Sequence, residues 1–184
     1  MEIKKKFILT IVLLSYLATA INAAIVITGL ENMAKDLDLN QSVLSWVQNS
    51  YVLAWGCFML LGGRLSDAFG RRSILNLSLL LFGIGSLFAG IATSATILIL
   101  SRFIQGVGAS ILAPTSLALI MDYFTGEERI KAIAWYSSIS GLGMCIGLVM
   151  GGTLASFLSW RYGFFIYLPL IVFMLIVSMK VLNK

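Results

Sequence analysis

The sequence predicts an all-α membrane protein: six transmembrane helices in one bundle, with both termini cytoplasmic. Three observations carry that expectation. First, 59% of the 184 residues are hydrophobic and only 11% are charged, less than half the roughly 25% charge of an average soluble chain. Second, the apolar residues gather into six runs, and six spans of about 20 residues use about 120 positions. Third, ten of the 13 Lys and Arg residues fall on one side, at the two termini and on alternate connectors, the asymmetry that marks the cytoplasmic side.

The runs justify themselves in order. Residues 7–30 follow a basic head at Lys4, Lys5 and Lys6. Ala18-Thr19-Ala20 resembles a leader cleavage site, but the run continues through Ile25-Val26-Ile27 to Leu30 and is long enough to span. The second and third runs are 43–62 and 74–93. The fourth, 95–121, contains Pro114, which removes a backbone hydrogen bond and predicts a kink. The fifth, 132–158, repeats glycine every four residues at Gly143, Gly147 and Gly151, followed by Gly152, a stripe that lets helix backbones approach closely. The sixth, 162–181, carries Pro169 and a second predicted kink.

The basic residues assigned to the cytoplasmic side are Lys4, Lys5, Lys6, Arg64, Arg71, Arg72, Arg129, Lys131, Lys180 and Lys184; Lys35 and Arg161 face outward. The net charge of +5 is therefore a topology signal, and no nucleic-acid partner is expected. The chain has no histidine, and Cys57 and Cys145 both lie in apolar runs. No imidazole base, metal site, disulfide framework or cofactor is expected.

One cation remains inside a span. Arg102 lies about 10 Å in from the outer end of the fourth run, and an arginine at such depth faces protein or a watery cavity. Asn22 comes about 12 Å in on the first run, and Gln48 and Asn49 about 8–9 Å in on the second. Gln105 shares the face of Arg102, three residues on. These five are expected to converge on a polar substrate or coupling cavity. No Asp or Glu lies deep in any span, so amides and carbonyls are the available partners of Arg102.

The second connector reads GGRLSDAFGRR over residues 62–72. Its glycines permit a tight reversal, and Asp67 is placed to pair with Arg71 and to accept from a helix N-terminus. In this pattern, G-x-L-x-D-x-x-G-R-R, the sequence resembles the major facilitator superfamily, and within it the drug:proton antiporters of the fourteen-span type. RFIQGVGA at 102–109 is similar to the fourth-span R-x-x-Q-G-x-G-A motif, and GLVMGG at 147–152 to the fifth-span G-P-x-x-G-G motif. Glu127-Glu128-Arg129 with Lys131-Ala132 matches the loop before the fifth span, and WRYGFF at 160–165 is similar to the W-R-W-x-F segment opening the sixth. The resemblance covers roughly residues 17–170.

The resemblance implies a six-helix N-terminal half built from two inverted three-helix repeats, about 7–93 and 95–181, within a single unit over 1–184. It implies multidrug efflux of amphipathic small molecules by alternating access at a bacterial cell membrane. It makes Gly63, Asp67, Gly70, Arg71, Arg72, Glu128 and Arg129 an inner gate closed by an ionic lock, and Arg102 an aid to proton coupling. It sets the glycine stripe at the interface between halves, Pro114 remaining the fourth-span kink.

Two departures stand out. The antiporters usually carry a first-span D-x-T-I-V-N-x-A-L-P stretch, where this chain has NAAIVITGLE at 22–31, so Asn22, which carries no proton, replaces the acid. The fifth-span proline position is Leu148. The length supplies one half of a two-half architecture, which implies a homodimer or a second half of six to eight helices as partner. It would leave Arg102 and the glycine stripe of a lone half against lipid. The alternative is a truncated or split product of a full antiporter, folded but inactive alone. An intramembrane enzyme lacks support, because no nucleophile–base constellation or buried acid pair is present.

Overall fold

The computed structural model describes residues 3–181. Helices α1 (Ile3–Leu37), α2 (Gln41–Phe69), α3 (Arg71–Gly90), α4 (Ala95–Tyr123) and α5 (Gly126–Phe157) are followed by a short α6 (Tyr162–Phe165) and α7 (Tyr167–Val181). Six stretches are long and apolar enough to cross a membrane, the sixth formed by α6 and α7 together.

Several helices outrun the apolar runs that announced them. At about 1.5 Å per residue, the 35 residues of α1 reach about 52 Å, well beyond a hydrocarbon core of about 30 Å. Hydropathy marks the stretch that lipid accepts. Helical hydrogen bonding continues past it into the charged ends, and α1 is unbroken through Ala18-Thr19-Ala20.

Caps set the turns. Asn40 accepts from the Val43 amide at 3.0 Å, and Ser94 from the Ile97 amide at 3.4 Å. The expected 62–72 loop is corrected: α2 continues through Phe69 and the whole reversal falls on Gly70, at φ +89°. That backbone conformation suits glycine, and Gly63 stays inside α2. α4 runs through Pro114 without a break. In the sixth span the chain breaks at Ile166, three residues before Pro169, so the proline sits in the first turn of α7, where its missing amide costs little.

α4 is the most enclosed span. Helices α2 and α3 pack along it and α1 touches it, while α1 also runs the length of α5 and α3 leans on α7. The close approaches use small residues. A Cβ at Gly106 would lie 2.5 Å from the Tyr51 carbonyl oxygen of α2, and one at Gly108 would lie 2.6 Å from the Phe82 amide of α3. Of the most apolar stretch, 61% is buried in α4 but 17% in α2 and in α5, so the last two present open faces.

Candidate functional site

Arg102 is 1% exposed, the largest fully buried side chain among the described residues. Its Nε donates to the Val47 carbonyl at 3.4 Å, and its Nη1 donates to Asn22 Oδ1 at 2.8 Å and to Gln105 Oε1. Gln105 in turn donates to Ser86 Oγ at 2.8 Å. The Tyr51 ring covers the guanidinium, 4.2 Å from its centroid, a cation–π contact that offsets part of the lost hydration. Four helices, α1 to α4, hold one cation among amides, a hydroxyl and an aromatic face. The centre forms no ion pair among the described residues.

Three of the five expected polar residues therefore meet: Asn22, Arg102 and Gln105. Gln48 and Asn49 do not join them. Gln48 borders an outer groove with Glu31 and Gln41, and Asn49 is exposed. Tyr51 and Ser86 take part without having been expected. Tyr51 had a legible signal, since it lies four residues after Val47 and so on the same helical face. Tyr51 also borders a cavity of about 170 Å³ with Tyr16, Thr19, Trp55 and Ser140. The expectation that a lone half leaves Arg102 against lipid is corrected: the bundle itself encloses it.

At the other end of the bundle, Arg71 pairs with Asp67 of α2 and, at 3.0 Å, with Asp122 of α4. The single ionic lock expected from Asp67, Arg71, Glu128 and Arg129 is thus divided. Glu128 pairs instead with Lys5 at 2.7 Å, because α5 lies alongside α1. Arg129 donates to the carbonyls of Phe124 and Met121, and Arg72 to that of Met179 at 3.1 Å, cations closing helix C-termini. The α3 N-terminus has no side-chain cap from Asp67 or any other residue. Asp122 was missed; one carboxylate at a span end carries no distinguishing pattern. These contacts gather Lys5, Arg71, Arg72 and Arg129 at one end, while Lys184 lies outside the described residues.

The glycine stripe packs inside the bundle. Cβ atoms at Gly143, Gly147 and Gly151 would meet α1 at 2.7, 2.7 and 2.1 Å, whereas one at Gly152 meets nothing within 4 Å. The expected contact between halves is corrected to the α1–α5 seam for these three positions. At the far end Arg161 pairs with Asp36 and donates to the Ala92 carbonyl at 2.8 Å. Trp160 Nε1 donates to Asp36 as well, at 3.1 Å. This junction of α1, the α3–α4 turn and the α5–α6 turn was also missed.

A family model described as Major Facilitator Superfamily matches residues 12–183. The chain belongs to that superfamily. It is a multi-pass membrane protein of a family of transporters, which are not enzymes. Among similar proteins are the puromycin resistance protein pur8 of Streptomyces alboniger, 40% identical over 88% of this chain and 32% of that protein. Multidrug resistance protein 3 of Bacillus subtilis is 34% identical over 90% of this chain and 32% of its own length. The fold matches a bacterial homologue of the human lysosomal transporter Spinster, in an inward-facing and unoccupied conformation. There the TM-score is 0.79 at 17% identity, over 98% of this chain and 43% of that one. This superfamily member spans about a third of the length of the curated relatives named.

Proposed function

We propose that the chain is half of an exporter of amphipathic small molecules, working by alternating access together with a second half. The observation that carries this reading is the Arg102 centre, a desolvated cation held by amides, whose Tyr51 also lines a cavity with mixed aromatic and hydroxyl walls. Such walls suit ligands with both apolar and polar parts. The relatives named for puromycin and multidrug resistance support the same substrate class.

The open faces of α2 and α5 supply surface for the partner, a second copy or a half of six to eight helices. Inverted repeats at 7–93 and 95–181 are supported by the packing: exchanging first span with fourth and second with fifth turns the α1–α5 contact into the α4–α2 contact. The basic end is assigned to the cytoplasm by the positive-inside rule, so the Asp67–Arg71–Asp122 group is an inner gate. With Asn22 in the first span, proton coupling falls to acids elsewhere or is absent.

Dye efflux from energised vesicles tests this, with the chain alone and with a co-expressed second half, each with and without a proton gradient. Efflux in either arm that disappears in Arg102→Ala is the expected result. No efflux in any arm from folded, inserted protein would overturn the proposal. Efflux from the chain alone would make a second copy the partner half, and efflux in the paired arm alone would make it the co-expressed half.

A further inference from the structure

The hydrogen-bond inventory of the Arg102 centre does not balance, and the excess is mainly of donors. A guanidinium has five N–H groups. Three are used, by Val47, Asn22 and Gln105, and Nη2 makes no hydrogen bond among the described residues. Asn22 spends its oxygen on Arg102, which leaves its Nδ2 buried without a partner. The Tyr167 hydroxyl is buried and makes no close hydrogen bond either; it faces Asn22, and even where its oxygen accepts from that Nδ2 its own proton stays unspent. Asn22 and Tyr167 are 0% and 1% exposed. Gln105, by contrast, has both ends of its amide engaged.

Unused donors and one uncompensated positive charge thus come together with no acid beside them. Leaving such groups unmatched in a buried site is costly. A second cation or a proton would add to the cost. A small acceptor of negative charge would relieve it, and the residue at position 22 decides which holds. An amide gives Arg102 a lone pair and still keeps N–H groups for a guest, whereas a carboxylate there would be acceptor only and would neutralise the arginine.

We propose that Arg102, Asn22 and Tyr167 form a receptor for one compact anionic group, either a carboxylate carried by a transported molecule or a free halide. The Tyr51 ring, which lies over the guanidinium and also lines the cavity, swings aside to admit the guest. This rests on the reading that the centre belongs to the transport pathway. It adds the charge of the ligand, and it makes Asn22 the residue that sets it.

The test uses the full chain in nanodiscs of uncharged lipid, with radiolabelled chloride and radiolabelled acetate as probes at constant ionic strength. A single saturable site is expected, for which the two anions compete; tighter chloride identifies the halide and tighter acetate the carboxylate. Asn22→Asp builds a carboxylate into the site. It should weaken binding at least about tenfold, the value of one charge-assisted bond. The melting temperature of that variant without added anion should equal or exceed that of the parent. Tyr167→Phe should weaken binding less, and Ser138→Ala, on the open face of α5, should leave it unchanged. Absence of saturable binding, or full binding in Asn22→Asp, overturns the proposal. Anion binding that persists where dye efflux fails would refute only the transport reading; efflux without anion binding would refute only this one.

Discussion

At Val47 a backbone carbonyl, and no side chain, accepts the Nε proton of Arg102. Replacing Arg102 with Ala would leave the buried oxygens of Asn22 and Gln105 without that donor, and each such loss costs about 1–3 kcal/mol. Arg102→Ala is expected to abolish transport per folded molecule while membrane insertion and abundance stay largely unchanged, with a lowered melting temperature in detergent. Parallel loss of folded protein and transport would assign the arginine a structural role only. Arg102→Lys should not restore function, because an ammonium cannot reproduce the planar fork that reaches Val47, Asn22 and Gln105 together. The carbonyl contact also explains what sequence could and could not say here. Depth along a helix follows from counting residues, so Asn22, Arg102 and Gln105 were found. The angle around the helix turns by about 100° per residue. Val47 faces Arg102, so Gln48 and Asn49 at nearly the same depth point elsewhere. Knowing which face of α2 looks inward requires its partner helix, and no local pattern supplies that.

Between elements, the seam of α1 and α5 depends on missing side chains. A Cβ at Gly147 would come within 2.7 Å of the Ile21 carbonyl oxygen and of Ala24. Gly147→Leu should therefore force the helices apart at a cost of about 1–3 kcal/mol or more, seen as an earlier thermal unfolding in mild detergent. Gly152→Ala, facing open space inside α5, should keep stability or raise it, by up to about 1 kcal/mol of helix propensity. The stripe was plain in the sequence, but a run of glycines specifies close approach without specifying to which helix. At the basic end, Arg71 has two carboxylate partners. Asp67→Asn alone should slow turnover and barely alter stability, since partly exposed pairs contribute about 0–1 kcal/mol. Asp67→Asn with Asp122→Asn should slow turnover further, measured as initial efflux rate per folded protein. Equal turnover in all three proteins would rule out a gate there. The helix count was legible because lipid demands long apolar runs. The extent of α2 through Phe69 was not, since charged residues at a helix end resemble a loop when only hydropathy is read.

For the molecule as a whole, the burial pattern divides the spans into an enclosed set and an open set. Cys57 and Cys145 are exposed on α2 and α5. If those faces receive the partner half, maleimide labelling of both cysteines should fall several-fold when a second half is co-expressed, and unchanged labelling would place the partner elsewhere. Cysteines introduced at Val149, 69% exposed, should crosslink to the partner, while one at Gly147 should not. The α1–α5 seam also has a consequence in time. Residue 17 of α1 meets residue 143 of α5, so more than 120 residues are made before the first helix finds its longest neighbour. At about 5–20 residues per second, α1 waits roughly 6–25 seconds in the bilayer or beside the insertion machinery. Asn22 then has no Arg102 to bind. The early helix must be lipid-soluble by itself, with an outward face apolar enough to wait, and mutations that make α1 more polar should first appear as lost insertion during synthesis.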